Sequence, residues 1–412
     1  MIASILYLDV RKAFDDLAQL LFLKHRSMRQ SSEKVTITLL LSNLTTFFFR
    51  ISVSIRFIDQ DESSKTLIAA LDVANRDMRE ASDPRDHYFG ILGLVPLTST
   101  ESQQLRSLSY KNSTVDIYKA VAHVLYEKHG LEILGYCYAI PSETSLHGGN
   151  EKTAPVLSLP SWVPNWAGGW IVPLQQRLSV RSANCYRASS FRSQTSSARF
   201  AIDGGSLKVK GIVLDRIRIL KPFWDDSQGG LPRSETMSRF WAPWISAILD
   251  LLGDSDVYAD QRARLHAIFR TSIADCVHDI AALGGLRRTN SDHRTLFDEL
   301  ASEYQSIIAE DPEWHASIPG VDDYIDLLCR FLSRHWKLLI TDKGHLGLGR
   351  RTCRSGDVVC VLHSASTPHI LRPVVSNEEV QTSTLVGEAY IHGFMDGECV
   401  PAASDTRIFT LV

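Results

Sequence analysis

Five residues pair a reactive side chain with neighbours able to tune it: Asp83, Arg85, His345, Glu388 and His392. Asp83 and Arg85 belong to Ser82-Asp83-Pro84-Arg85-Asp86, three potential charges beside the end of an apolar helical pattern. A carboxylate there could serve as a base, or Asp83 or Asp86 could clamp the Arg85 guanidinium. Asp before Pro is also an ordinary turn, and a clamped arginine would hold the element that follows. Glu388 and His392 fall in a Gly-Glu-Ala-Tyr-Ile-His-Gly-Phe-Met-Asp-Gly-Glu run that ends with Asp396 and Glu398. On a continuous strand 388 and 392 share a face, as do 396 and 398, yet no three ligands converge, so no metal is expected.

His345 lies in Gly344-His-Leu-Gly-Leu-Gly349, which resembles a phosphate loop only in its glycines. It lacks the Gly-Lys-Ser/Thr ending and precedes a strand pattern, so no helix dipole would meet a phosphate. A tight β turn using positive φ is the expectation. Neither Gly-x-Ser-x-Gly nor His-Glu-x-x-His occurs, and no cofactor is implied. The seven cysteines show no Cys-x-x-Cys; Cys353 and Cys360 bracket a turn and strand, a poor zinc geometry. An odd number of scattered thiols fits a reducing, cytoplasmic setting.

The elements that would hold these residues follow from periodicity. Leu67–Arg79 has a helical apolar period ending at Pro84. The strongest helix signal runs from Asn112 to Gly130, with Ser113 or Thr114 as cap, Asp116 in the first turn and Gly130 as a left-handed stop. Leu159-Pro-Ser-Trp-Val-Pro-Asn-Trp166 cannot be regular helix; it predicts a rigid extended segment whose indoles are buried, joining a helical layer to a β unit. Residues 179–197 are rich in Ser and Arg and read as a surface loop. From Phe200 to Leu220 the period changes to alternation after Gly204-Gly205, a hairpin pattern. Helical patterns return over 235–340, including Phe240–Leu252 and Tyr324–Leu339, and short Gly- and Pro-punctuated strands resume from Leu338. In Gly356-Asp357-Val-Val-Cys-Val-Leu362, Asp357 is expected to bond its own turn's backbone ahead of a buried strand.

The predicted class is α+β, a helical layer plus a small β-barrel- or sandwich-like unit split by a helical insertion. The expected divisions are an uncertain segment 1–60, a mainly helical region 61–200, a β unit of 201–220 with 338–412, and a helical insertion 221–337. Residues 205–220 should pair with strands of the tail, because a lone hairpin is marginal in water. With 412 residues, 44% hydrophobic and 22% charged, the chain can bury sizeable cores and is not disordered in composition. A net charge of -3 gives no long-range attraction to nucleic acid. Val35–Ile58 is apolar-rich but carries Arg50 and Arg56, so it reads as buried strands or helices, or a mispredicted exon, rather than a stable membrane span.

The order of three segments carries a resemblance. Ala81-Ser-Asp-Pro-Arg-Asp86 running into Tyr88-Phe-Gly-Ile-Leu-Gly-Leu94, the Trp-rich 159–166, and the tail from Lys343 to Glu398 together resemble the C-terminal part of fungal heterokaryon incompatibility (HET) proteins. The resemblance covers roughly residues 65–400. It implies a cytoplasmic role in self/non-self recognition and programmed cell death signalling, akin to innate immunity, through contacts with an unidentified protein partner. The family's core segments, of the Tyr-x-x-Leu-Ser-Tyr-x-Trp-Gly, Trp-Ile-Asp and Trp-x-Arg-x-Trp kind, are not found here, and no tryptophan precedes Trp162. That implies a truncated core, or a gene-model error, and no catalytic residue is transferred. The alternatives are an enzyme or accessory protein of a secondary-metabolite pathway, and a non-functional fragment.

Overall fold

The computed structural model describes residues 67–71, 81–92, 95, 103–138, 157–168, 173–177, 186–189, 200–222, 234–253, 256–279, 285–289, 294–304, 318–331, 336–374, 382–398 and 405–412, apart from 69, 204 and 319. The apolar 35–58 stretch lies outside them. Among the described residues no helix is long and apolar enough to cross a membrane. The chain forms two compact units, Met1–Leu125 with Thr153–Leu157 and Trp166–Trp170, and Tyr126–Lys152 with Ser158–Asn165 and Ile171–Val412.

In the first unit, the Asp-Pro-Arg turn opens helix α1 (Asp86–Leu92), which buries Tyr88 and Ile91. The longer helix α2 (Thr114–His129) starts where the sequence places its cap. Ser113 Oγ accepts the Asp116 N–H at 3.1 Å and donates to the Asp116 carboxylate at 2.7 Å, a reciprocal cap that satisfies a first-turn donor. Ile117, Tyr118 and Val121 form its buried face. The Tyr118 hydroxyl donates to the Pro84 carbonyl at 2.6 Å, and Trp166 meets the Tyr118 ring edge-on at 5.0 Å.

The second unit mixes helices with one large sheet, an α+β arrangement. Gly130 leaves α2 at φ 62° and a 3-10 segment follows over Gly130–Tyr136. The short helix α3 (Leu174–Arg177) precedes strand β1 (Phe200–Asp203), which pairs antiparallel with the 16-residue strand β2 (Ser206–Lys221). Helices α4 (Ser234–Leu252) and α5 (Gln261–Ser272) come next, α5 capped by Asp260, whose Oδ1 accepts the Ala263 N–H at 2.7 Å. A hairpin of β3 (Cys276–Asp279) and β4 (Gly285–Arg288) follows, then helices α6 (Arg294–Ser302) and α7 (Val321–Phe331). The remaining strands are β5 (Trp336–Thr341), β6 (Leu346–Arg350), β7 (Val358–Leu362), β8 (His369–Pro373), β9 (Thr382–Glu388), β10 (Tyr390–Ile391) and β11 (Thr406–Leu411).

Strand β2 organises the sheet. Its residues 207–212 pair with β11, 211–216 with β7 and 217–221 with β5, all antiparallel. Pairing runs β10-β6-β5-β2-β11-β9-β8-β7, and β7 returns to β2. Register shifts at Val213/Asp215 and Ile217/Ile219 let one strand serve three partners, since each bulge re-aims the ladder. Gly211 sits where two partners overlap; a Cβ there would lie 2.7 Å from the Val361 carbonyl.

Alternation sorts the core. Leu338, Ile340, Leu346 and Leu348 point to the helices, where Trp241, Phe269 and Tyr324 stack with ring centroids 5.4 to 6.3 Å apart. Leu339 points the other way, toward Val359, Ile370, Val386 and Ile391. Both faces of β5 are therefore covered, which is why its sequence lacks a polar alternation. That same continuity made 324–339 look helical; the helix ends at Phe331 and Trp336 begins a strand. The β3–β4 hairpin, inside a stretch read as helical, is too short to impose a period of its own.

Trp162 is fully buried in the second unit, its indole N–H donating to the Gly205 carbonyl at 3.0 Å and its own carbonyl accepting the Tyr126 hydroxyl at 2.7 Å. Trp166 is 4% exposed. Ser161 ties the Trp-rich segment to the sheet: its N–H and hydroxyl donate to the Val412 carbonyl, and its Oγ accepts the Leu385 N–H at 2.9 Å.

Candidate functional site

The five residues picked out from sequence fall in three places. In the first unit Asp83 and Arg85 form a fork, with Arg85 Nε and Nη2 on the carboxylate at 2.9 and 2.6 Å. Arg85 Nη1 also donates to the carbonyls of Tyr110 and Asn112, and the guanidinium lies 5.2 Å from the Tyr110 ring centroid. Tyr110 in turn donates to Asp86. Hydrogen bonds from Arg85 hold the Asp83 carboxyl below its ordinary range. This is the clamp form of the sequence reading, fastening the 110–112 turn to the start of α1.

Glu388 ends β9 and is buried against Arg350 of β6, with Nη2 on Oε1 at 2.7 Å. The same Oε1 accepts the Leu174 N–H at 2.7 Å, and the Arg350 guanidinium stacks 4.0 Å from the Trp336 ring centroid. Burial lowers the Arg350 pKa and Glu388 opposes the shift. His392 does not share a face with Glu388, because the strand stops at 388 and 392 lies in the turn after β10. Nor do 396 and 398 form a ligand face: Glu398 closes a turn by accepting the Asp396 N–H at 2.6 Å. Among the described residues no three His, Cys, Asp or Glu gather as a metal-holding group.

His392 and His345 sit together on the helical side. The His392 N–H donates to the Leu346 carbonyl, and the Leu346 N–H donates to the Tyr258 hydroxyl at 3.0 Å. The His392 ring lies 6.1 Å from that of Tyr258, and Nδ1 is 3.2 Å from the Tyr390 hydroxyl. His345 packs edge-on against Phe394 at 4.8 Å. Burial, then the Arg270 charge, pushes the His392 pKa down to about 4, so the ring is neutral at pH 7.

Beside His392 lies a network that sequence reasoning missed. Asp275, 1% exposed, follows Ala274, and both hold positive φ, 56° and 49°. Its carboxylate accepts Arg270 Nε at 2.7 Å and Nη2 at 3.1 Å, Arg288 Nη2 at 2.8 Å, and the Thr289 hydroxyl. Arg288 also donates to Asp396 and covers the Tyr186 ring at 5.0 Å. The Tyr186 hydroxyl donates to the Ala274 carbonyl at 2.5 Å and lies 3.0 Å from Cys276 Sγ. Burial opposes the Arg288 charge, but the Asp396 and Asp275 carboxylates outweigh it and raise its pKa. Burial raises the Tyr186 and Tyr390 hydroxyls well above their ordinary range. The buried Arg288 and Asp275 balance one another, as a buried charge must be paired to persist, while Arg270 and Asp396 join them from more exposed positions. The group joins α5, the β3–β4 hairpin and the 392–398 loop. Its members lie up to 210 positions apart (186 to 396) with no shared motif; Asp275 beside an apolar helix end was the one local signal.

The predicted loop motifs resolve differently. Gly344 does take positive φ, 93°, in the β5–β6 turn. Gly347 and Gly349 do not; they are needed for closeness, since a Cβ at 347 would lie 2.5 Å from the Tyr390 carbonyl and one at 349 2.9 Å from Cys353 Sγ. Asp357 bonds its own turn through the Arg354 N–H at 2.8 Å, and also receives a fork from Arg372.

Residues 321–412, from α7 through β11, match the family model of the Het-6 beta-barrel domain. That part of the chain is thus similar to a domain of fungal heterokaryon incompatibility proteins. Heterokaryon incompatibility protein 6, OR allele, of Neurospora crassa is 25% identical over 353 residues, covering 78% of this chain and 50% of that protein. The chain thus spans about half the length of that curated relative. No solved structure gives a significant match.

Proposed function

We propose that the chain serves fungal self/non-self recognition as a protein-interaction region of the HET family, acting in the cytoplasm on a protein partner and not on nucleic acid. The observation that carries this reading is the extent of the match: it runs over 353 residues and so reaches well outside the barrel region of 321–412. The closed pairing path through β2, β11, β9, β8 and β7 supports a barrel-like unit, with 221–337 as a helical insertion in it. The reading is also in keeping with the polar groups: the His392 ring is uncharged at pH 7, and the buried arginines are engaged by carboxylates rather than left to activate a nucleophile.

Without the family's core segments, the chain expressed alone in a compatible fungal host should not kill, and should suppress an incompatibility reaction by occupying a shared partner. The test is heterokaryon formation between incompatible strains with and without the chain. Restored mixed growth is expected. Unchanged incompatibility despite accumulated, folded protein counts against the reading, as does killing that Arg85→Ala or Glu388→Ala abolishes with folding intact.

A further inference from the structure

Three non-glycine residues among those described hold positive φ: Ala274, Asp275 and Ser364 at 72°. Such backbone is costly for a residue with a Cβ and persists only where its surroundings enforce it. One four-residue segment, Tyr186–Arg187–Ala188–Ser189, reaches both places. The Tyr186 hydroxyl bonds the Ala274 carbonyl, and its ring carries the arginine that grips Asp275. Ser189 Oγ accepts the Ser364 N–H at 3.0 Å.

The backbone of this segment is held from two sides. Arg187 N–H donates to the Met395 carbonyl at 2.7 Å, in the 392–398 loop; Ala188 and Ser189 donate to Ser366 and Ala365 at 3.0 and 3.3 Å, in the loop between β7 and β8. The Arg187 N–H bonds one loop and the Ala188 and Ser189 N–H groups bond the other, so the segment is held between two loops. Of its side chains Tyr186, Ala188 and Ser189 are buried and Arg187 is exposed, and the Tyr186 N–H donates to Gln175 Oε1 at 3.2 Å. The following 190–199 stretch, Ser-Phe-Arg-Ser-Gln-Thr-Ser-Ser-Ala-Arg, offers one large apolar residue.

We propose that Tyr186–Ser189 is a releasable strap that holds the turns at 274–275 and 364 strained together, so that strap bonding and backbone strain oppose one another as two states of one element. Closed, it locks the β3–β4 hairpin, the 392–398 loop and the 363–367 turn in one arrangement. Released, both turns relax and the Asp275–Arg288–Asp396 network loses its aromatic cover. The two turns are 90 residues apart (274 to 364) and share the strap as a common restraint, which makes their motions dependent on each other.

Hydrogen–deuterium exchange on the full chain tests this. Tyr186→Phe removes one strap bond, and should speed exchange about tenfold at the amides of both 274–276 and 364–366, leaving β8 and β9 at their wild-type rates. Ala274→Gly relieves strain at one turn, so it should slow exchange at the other, 364–366. Two results overturn the proposal: Tyr186→Phe changing 274–276 while 364–366 keeps its rate, or Ala274→Gly leaving 364–366 untouched.

Discussion

Glu388 and Arg350 show what a buried pair demands at the scale of a residue. Arg350 is 2% exposed and its charge is matched by a single carboxylate oxygen. Removing one member leaves an uncompensated charge, whereas removing both in favour of apolar groups can be neutral. Glu388→Gln should therefore lower the unfolding free energy by ~3–5 kcal/mol in urea titrations. The double variant Glu388→Leu/Arg350→Met should recover most of that loss. If the double variant is as unstable as the single, shape rather than charge governs the site. Sequence alone offered Glu388 as a metal-ligand type; its partner 38 residues earlier was invisible, because nothing local marks a cross-sheet pair.

At the scale of elements, the glycines of β6 decide how closely strands approach. Gly347→Ala would push a methyl against the Tyr390 carbonyl, a backbone atom that cannot swing away. It should cost ~1–3 kcal/mol and loosen β10, seen as faster exchange at Tyr390 and Ile391. Gly356→Ala, at φ 88° with nothing within 4 Å, meets only backbone strain and should cost ~1–2 kcal/mol without that local signature. The Trp-rich segment is a second element-scale case. Trp162→Ala empties a fully buried indole site that also bonds Gly205, and thermal or urea unfolding should register a loss of ~3–5 kcal/mol. A loss under about 1 kcal/mol would mean the segment is not anchored by that ring.

For the whole second unit, two imidazoles set a pH dependence, the buried His369 and the half-buried His392. Burial pushes both His369 and His392 down to about 4, while an unfolded histidine titrates near 6.5. Between those values the unfolded chain binds protons that the folded chain refuses, so stability is complete above about pH 6.5 and falls as pH drops toward 4. The fall should be at most about 3 kcal/mol per imidazole, measured as melting temperature against pH. His369→Leu should flatten the curve; an unchanged slope would show that His369 is protonated in the folded state without cost.

What the residues dictate by themselves are the features that depend on near neighbours. Ser113 and Asp116 cap α2, Gly130 ends it, Asp357 closes its own turn, and the alternation after Gly205 makes a strand. The order of the Asp-Pro-Arg, Trp-rich and tail segments likewise carried the resemblance, since segment order is read directly along the chain. Only the tertiary structure decided which strands meet, since a bulge in β2 changes its partner without changing its period. It alone gathered Arg270, Arg288 and Thr289 around the buried Asp275 carboxylate. Pairing of buried charge is enforced by low dielectric in space, and the chain order of the paired groups is free to vary.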